Sequence, residues 1–118
     1  IAQEIIREQL YHQLGKELPY ACAVQIETWN ERERGAEGRE KVKEATIGAV
    51  IVVERESQKP IVVGRGGSRI RELGIAARTA VAEALGYSEV HLSLFVKVLA
   101  EWSREERDLM KLGYGGDA

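Results

Sequence analysis

Cysteine is almost missing from this chain. Cys22 is the only one among 118 residues, so no intramolecular disulfide can form. With no signal peptide at the start, a reducing cytoplasm is the simplest setting. The histidines, His12 and His91, have no partners at ligand spacing, which removes the usual zinc patterns. Aspartate occurs only as Asp108 and Asp117, both near the C-terminus. The carboxylates that a nucleotide-hydrolysing centre places after a strand to hold magnesium are therefore not supplied. No apolar run approaches the roughly 20 residues of a membrane span. Ser68 has no histidine or aspartate near it in sequence, so a nucleophile triad is disfavoured and helix capping is the expected role.

What remains suits one globular domain with a core of its own. The net charge is −2, a weak argument against bulk binding to a polyanion. Its distribution is more telling. Residues 59–78 hold Lys59, Arg65, Arg69, Arg71 and Arg78 against Glu72 alone, a local charge of +4 in a chain whose remainder carries −6. A solvated charged face would look the same.

Hydrophobic periodicity orders the elements. Ala2, Ile6, Leu10 and Leu14 fall four apart and predict a helix over 2–14, stopped at Gly15. Residues 21–29 alternate, with Cys22, Val24 and Ile26 on one side, as in a half-buried strand. The stretch "ERERGAEGREKVKE" (31–44) reads as a polar loop. "TIGAVIVV" (46–53) is apolar on both alternating sets, the mark of a central strand. "ESQKPIVVG" is ambiguous. Ile61, Val62 and Val63 favour a strand, whereas Ser57 can cap a helix and Pro60 is tolerated in a first turn. From Gly67 the period is helical, through Ile70, Leu73, Ala77, Val81 and Ala84 to a stop near Gly86. Gly74 inside it predicts close packing against another backbone. Residues 88–98 alternate, with Val90, Leu92, Leu94, Val96 and Val98 inward, and Ser103 to Glu106 has capping-box form. The order implies a three-stranded mixed sheet with helices on one face, an α+β layer. Strands one and two should be antiparallel; strands two and three, joined by a helical crossover, should be parallel.

The stretch "IVVGRGGSRI" (61–70) is the one place where chemistry concentrates. It is not a P-loop, which needs G-x-x-x-x-G-K-[ST]. It fails the dinucleotide fingerprint because Arg69 stands where the third glycine belongs. It does fit G-x-x-G, with Gly64 and Gly67 bracketing Arg65 and Gly66. Glycines let a sugar-phosphate strand approach the main chain with no Cβ in the way. The amides at the start of the next helix favour anions, and Arg65 and Arg69 add charge. A G-x-x-G clamp on four backbone nucleotides is the K-homology (KH) device. A purely structural turn into a helix would supply the same four letters.

Longer strings add to this. "EIIREQL" (4–10), "ELPYACAVQIE" (17–27), "IVVERESQKPIVVGRGGSRIRELGIAAR" (51–78), "VHLSLFVKV" (90–98) and "LGY" (112–114) run in order along nearly the whole chain. Together they resemble a KH domain of the second type, and more closely the C-terminal domain of the Era family of GTPases of small ribosomal subunit assembly. "ELPY" and "VERESQK" separate this resemblance from other type II KH proteins, which share the loop but not these strings. It implies one RNA-binding domain over 1–118, with a short last helix at about 103–112, and makes 58–63 a short helix rather than a strand.

The resemblance also implies a site. Gly64, Arg65, Gly66 and Gly67 would form the RNA loop, with Ser68 and Arg69 beside it. From the residues themselves, Ile61, Val63 and Ile70 are expected to be core residues, some of which also floor the groove, and Lys59 is a candidate RNA contact that could instead form an ion pair with a glutamate. For Arg78, phosphate contact and an ion pair with a glutamate are equally open. The groove would run between the two core helices and strand 46–53. Its implied ligand is single-stranded RNA from near the 3′ end of small-subunit ribosomal RNA. The contacts of loop 31–44 do not transfer with the resemblance; Lys41 and Lys43 are the candidates there. For Trp29 and Trp102, packing or partner contact is expected.

No guanine-binding Asn-Lys-x-Asp is possible, because the sole asparagine, Asn30, precedes Glu31. GTP and magnesium are thus implied only for a GTPase domain outside this chain, and the chain itself is expected to be no enzyme and to need no cofactor. The implied partners are ribosomal RNA, the small ribosomal subunit and that missing domain. The implied location is cytoplasmic, peripheral at the membrane in full-length members. A competing expectation is a protein-interaction domain that keeps the fold but binds no RNA.

Overall fold

The computed structural model describes residues 1–15, 22–35 and 41–99. Helix α1 (Ala2–Leu14) leads to strands β1 (Cys22–Arg34) and β2 (Val42–Val53), then helices α2 (Lys59–Val63) and α3 (Ser68–Leu85), then strand β3 (Glu89–Val98). The sheet order is β1-β2-β3, with β1 antiparallel and β3 parallel to β2. The last helix expected at 103–112, and Trp102, lie outside the described residues.

The four-residue spacing in α1 does what it predicts: Ala2, Ile6, Leu10 and Leu14 are all buried. They join Ala45, Ile47, Ala49, Ile51 and Val53 of β2 and Leu73, Ala77 and Val81 of α3 in one core. Polar side chains of α1 serve the sheet as well. Gln3 Nε2 donates to the Val24 carbonyl at 2.5 Å and Arg7 Nη1 to the Cys22 carbonyl at 2.7 Å. β1 is an edge strand, and these bonds occupy carbonyls that would otherwise invite another strand. The second apolar set of β2 is used too, since Val50 and Val52 are buried on the opposite face with Ala23 and Leu99 against them.

Residues 31–44 depart from the expected loop. β1 continues to Arg34 and β2 begins at Val42, so a paired ribbon runs well past the body of the sheet. Hydrophobic alternation misses it because β1 is exposed throughout its outer part. Cross-strand charge pairing supplies the missing signal: Glu33 faces Lys43 and Arg32 faces Glu44, and Arg34 forms an ion pair with Glu44. The pairing shifts register between Ile26 and Thr28. That bulge moves Trp29 and Glu31, opposite Ile47 and Ala45, onto the face that carries the helices. Gly48 fits there because a Cβ would collide with Thr28 Oγ1.

The ambiguous stretch is helical. Pro60 sits in the first turn of α2, where its missing N–H costs nothing. Val62 drops into the core at 1% exposure, and that burial overrides the β-preference of the branched side chains. The expected caps are not used. Ser57 lies within a short 3-10 turn, Glu56–Gln58, and no side chain caps α2. Gln58 Oε1 instead accepts from the Glu54 and Arg55 amides at 3.0 and 2.9 Å.

α3 buries Leu73, Ala77 and Val81 but leaves Ile70 half-buried and Ala84 exposed. Gly74 is not pressed against a backbone. A Cβ there would meet only Leu94 Cδ1, at an ordinary 3.8 Å. The helix ends on left-handed Gly86 (φ 73°), as its sequence position predicts.

Candidate nucleic-acid interface

The chain leaves α2 through Gly64, at φ 76° and ψ 172°, and turns through Arg65, Gly66 and Gly67 into α3. The three glycines do different things. A Cβ on Gly64 would lie 2.7 Å from Arg69 Cβ and Cγ and 2.8 Å from its backbone nitrogen, so the loop rests directly on the first turn of α3. Among the described residues, Gly66 (φ 59°) and Gly67 (φ 80°) have nothing within 4 Å of a would-be Cβ. The outer side of the turn is thus bare, with the left-handed backbone that glycine adopts without strain.

Inside the turn, the Gly67 amide donates to the Gly64 carbonyl at 3.2 Å and the Ser68 amide to the Arg65 carbonyl. No side chain caps α3, and its first turn holds no acidic residue. The positive end of its dipole therefore faces solvent next to the bare glycines. Ser68 is not the cap. Its φ of −62° and ψ of −42° are already helical, and the capping position, which is non-helical, is held by Gly67 in left-handed geometry.

The basic residues divide. Arg65 is exposed on the loop, and among the described residues no hydrogen-bond or ion-pair partner holds it. Arg69 is half-buried and turned inward, with Nη1 donating to the Ile61 carbonyl at 3.1 Å. Lys59 is exposed at the start of α2. Arg78 lies about 15 Å further along α3 than Ser68, exposed beside a shallow cavity that Glu83, Glu89 and His91 also line, so the fold does not bring it to the loop.

The apolar residues divide as well. Val62 is the core residue of α2. Ile61, Val63 and Ile70 are half-buried, and of these only Ile61 packs on the main core. The strand that α2 and α3 both approach is β3. Its Leu92, Leu94 and Val96 are half-buried, and the buried Val62, Leu73, Ala77 and Val81 of the two helices share one core with Ile47, Ile51 and Val53 of β2.

One cluster has no signal in the sequence. Trp29 and Tyr87 place their ring centroids 6.2 Å apart at 55°. Lys43 Nζ lies 5.0 Å from the Tyr87 ring centroid, within cation–π range. Tyr87 Oη donates to Glu31 Oε1, and Trp29 Nε1 donates to the same oxygen at 3.3 Å. The tyrosine and tryptophan hydrogen bonds hold the Glu31 carboxyl below its ordinary pKa. Desolvation, then the bond to Glu31, pushes the Tyr87 hydroxyl up. With the first residues of α1, this corner lines a cavity of about 510 Å³. It sits past the far end of α3, about 27 Å from where that helix begins. Cys22 is buried, and burial pushes its thiol up to about 11, which leaves it a poor nucleophile. Among the described residues no helix is long and apolar enough to cross a membrane, and no cluster of three or more His, Cys, Asp or Glu could hold a metal ion.

A helix and strand in front of a strand–helix–helix–strand core, with an uncapped glycine turn between the two core helices, define a type II KH domain. The KH domain family model matches residues 17–103, and the chain belongs to that family. It is 42% identical over 114 residues to GTPase Era of Bordetella pertussis and 45% identical over 114 residues to GTPase Era of Xylella fastidiosa, covering 97% of this chain and 35% of each relative. A crystal structure of a point variant of Aquifex aeolicus Era bound to GDP.AlF4- superposes with TM-score 0.72 at 32% identity, over 96% of this chain and 35% of that one. A crystal structure of Era in complex with MgGDPNP and nucleotides 1506–1542 of 16S ribosomal RNA superposes with the same TM-score at 33% identity and the same coverage. The chain spans about a third of the length of these relatives and matches their C-terminal KH region.

Proposed function

We propose that this chain is a single-stranded RNA-binding module for the 3′ end of small-subunit ribosomal RNA, acting as the RNA-reading part of an Era-like GTPase in assembly of that subunit. One observation carries the reading: the bare Gly64–Gly67 turn opens onto an uncapped helix N-terminus with no acidic side chain in its first turn. The RNA held by the similarly folded Era structure supports it.

In this reading the turn and the start of α3 place the backbone of about four nucleotides. Arg65 supplies a mobile charge, with Lys59 as a further contact at the head of α2. The half-buried Ile61, Val63 and Ile70 offer apolar surface to unstacked bases. Any GTP hydrolysis, with its magnesium, belongs to the part of the relatives that this match does not cover. The cytoplasmic setting and the contact with the small subunit follow from the same reading.

The test is fluorescence anisotropy with an RNA of the 1506–1542 segment. Affinity should fall as salt rises, with a slope set by the phosphates neutralised. The double variant Arg65→Asp, Gly66→Asp should lose binding while keeping the far-ultraviolet circular dichroism of the wild type. Retained affinity would move the site elsewhere. A flat salt response would favour the protein-interaction domain.

A further inference from the structure

We propose that Arg69 is a positioning residue: its guanidinium ties α2 to the first turn of α3, and so holds the Gly64–Gly67 turn in the shape the RNA backbone meets, without contacting phosphate itself. This rests on the RNA-binding reading and refines it, since charge alone would count Arg69 as a second phosphate ligand beside Arg65.

The need for such a tie follows from the size of α2. A five-residue helix cannot hold itself together, and its last carbonyls have no intrahelical partners. Pro60's carbonyl takes the Gly64 amide at 2.8 Å. Ile61's takes Arg69 Nη1 at 3.1 Å, a charge-assisted bond placed where the negative end of the α2 dipole favours a cation. The stem of the same side chain is the surface on which Gly64 lies, at 2.7 Å from a would-be Cβ. One residue therefore contacts both the helix before the turn and the turn itself. On the other side, among the described residues, Gly66 and Gly67 have nothing against them that could take over the task.

The experiment compares the full 118-residue chain with Arg69→Met, Arg69→Lys and Arg65→Ala, titrating the 1506–1542 RNA at several salt concentrations. Arg69→Met keeps a stem under Gly64 and removes the donor. It should weaken binding about tenfold, the order of one charged hydrogen bond, with the dependence of log K on log salt unchanged. Arg65→Ala should instead make that dependence shallower by about 0.7, as the loss of one phosphate contact to a single strand does. Arg69→Lys, which keeps a donor of similar reach, should recover most of the affinity.

A shallower salt slope for Arg69→Met would make Arg69 a phosphate ligand and overturn the proposal. Unchanged affinity would overturn it too, by reducing the tie to a contact for stability alone. Should Arg69→Met melt within the assay range, Arg69→Gln carries the same comparison with a polar, uncharged head. A wild-type chain with no affinity for the RNA removes the RNA reading and this role with it. A wild-type chain that binds, with either adverse result for Arg69, removes only this role.

Discussion

Alanine at Gly64 and alanine at Gly66 should cost very different amounts of stability, although both glycines have positive φ and stand two residues apart. At Gly64 the pair φ 76°, ψ 172° lies in a region that essentially only glycine occupies, worth about 1–3 kcal/mol for any other residue. The new Cβ would also sit 2.8 Å from the Arg69 backbone nitrogen, which cannot swing aside as a side chain could. Such overpacking adds about 1–3 kcal/mol. At Gly66 the pair φ 59°, ψ 22° is ordinary left-handed helix, about 1–2 kcal/mol for an L-residue, and the space is empty. Alanine restricts the unfolded chain by about 0.4–1 kcal/mol in both variants alike, so that gain cancels from their difference. The two variants should therefore differ by roughly 2–3 kcal/mol, or on the order of 10 °C in Tm for a domain of this size. Urea melts read by circular dichroism, at constant m-value, give the difference directly. Equal losses, or a harmless Gly64→Ala, would show that the turn does not rest on α3.

Gly74→Ala should stabilise the domain, by up to about 1 kcal/mol, because the Cβ meets only Leu94 at van der Waals distance; a lower Tm would mean that α3 sits closer to β3 than described. The Trp29–Glu31–Tyr87 contact should give stability a pH dependence at both extremes. Glu31 is depressed in the folded chain, so its contribution is present above the ordinary carboxylate range and is lost as pH falls through the folded value. Tyr87 is raised above its ordinary value of 10.0, so its contribution is present below that value and is lost as pH climbs through the folded one. Glu31→Gln should flatten the acid limb of a Tm-against-pH profile, and an unchanged limb would remove Glu31 from the account.

How far the sequence reaches can be judged from particular elements. The i, i+4 spacing of Ala2, Ile6, Leu10 and Leu14 located α1 and its buried face without further help. Alternation located β3, and the glycine spacing marked the turn. The propensities of Ile61, Val62 and Val63 pointed to a strand; the family resemblance implied a helix there, and burial of Val62 is what decides it. Polarity hid the outer ribbon, because cross-strand charge pairs stabilise it where no apolar face exists. The four arginines of the basic window look alike in sequence, yet Arg65 and Arg71 are exposed, Arg69 turns in to a carbonyl eight residues away and Arg78 lies further along α3.

Periodicity is a property of the local chain, since a repeat of four or of two already says which residues share a face. That much, with the glycine spacing of the turn and its basic surroundings, was settled before folding. A partner across the molecule is different. Glu31 and Tyr87 are 56 residues apart, and they meet only because a bulge in β1 turns one strand's faces over and α3 ends opposite it. Direction in space, for Arg69 as for Glu31, depends on how whole elements dock. No window of residues carries that information, and only the tertiary structure decided it.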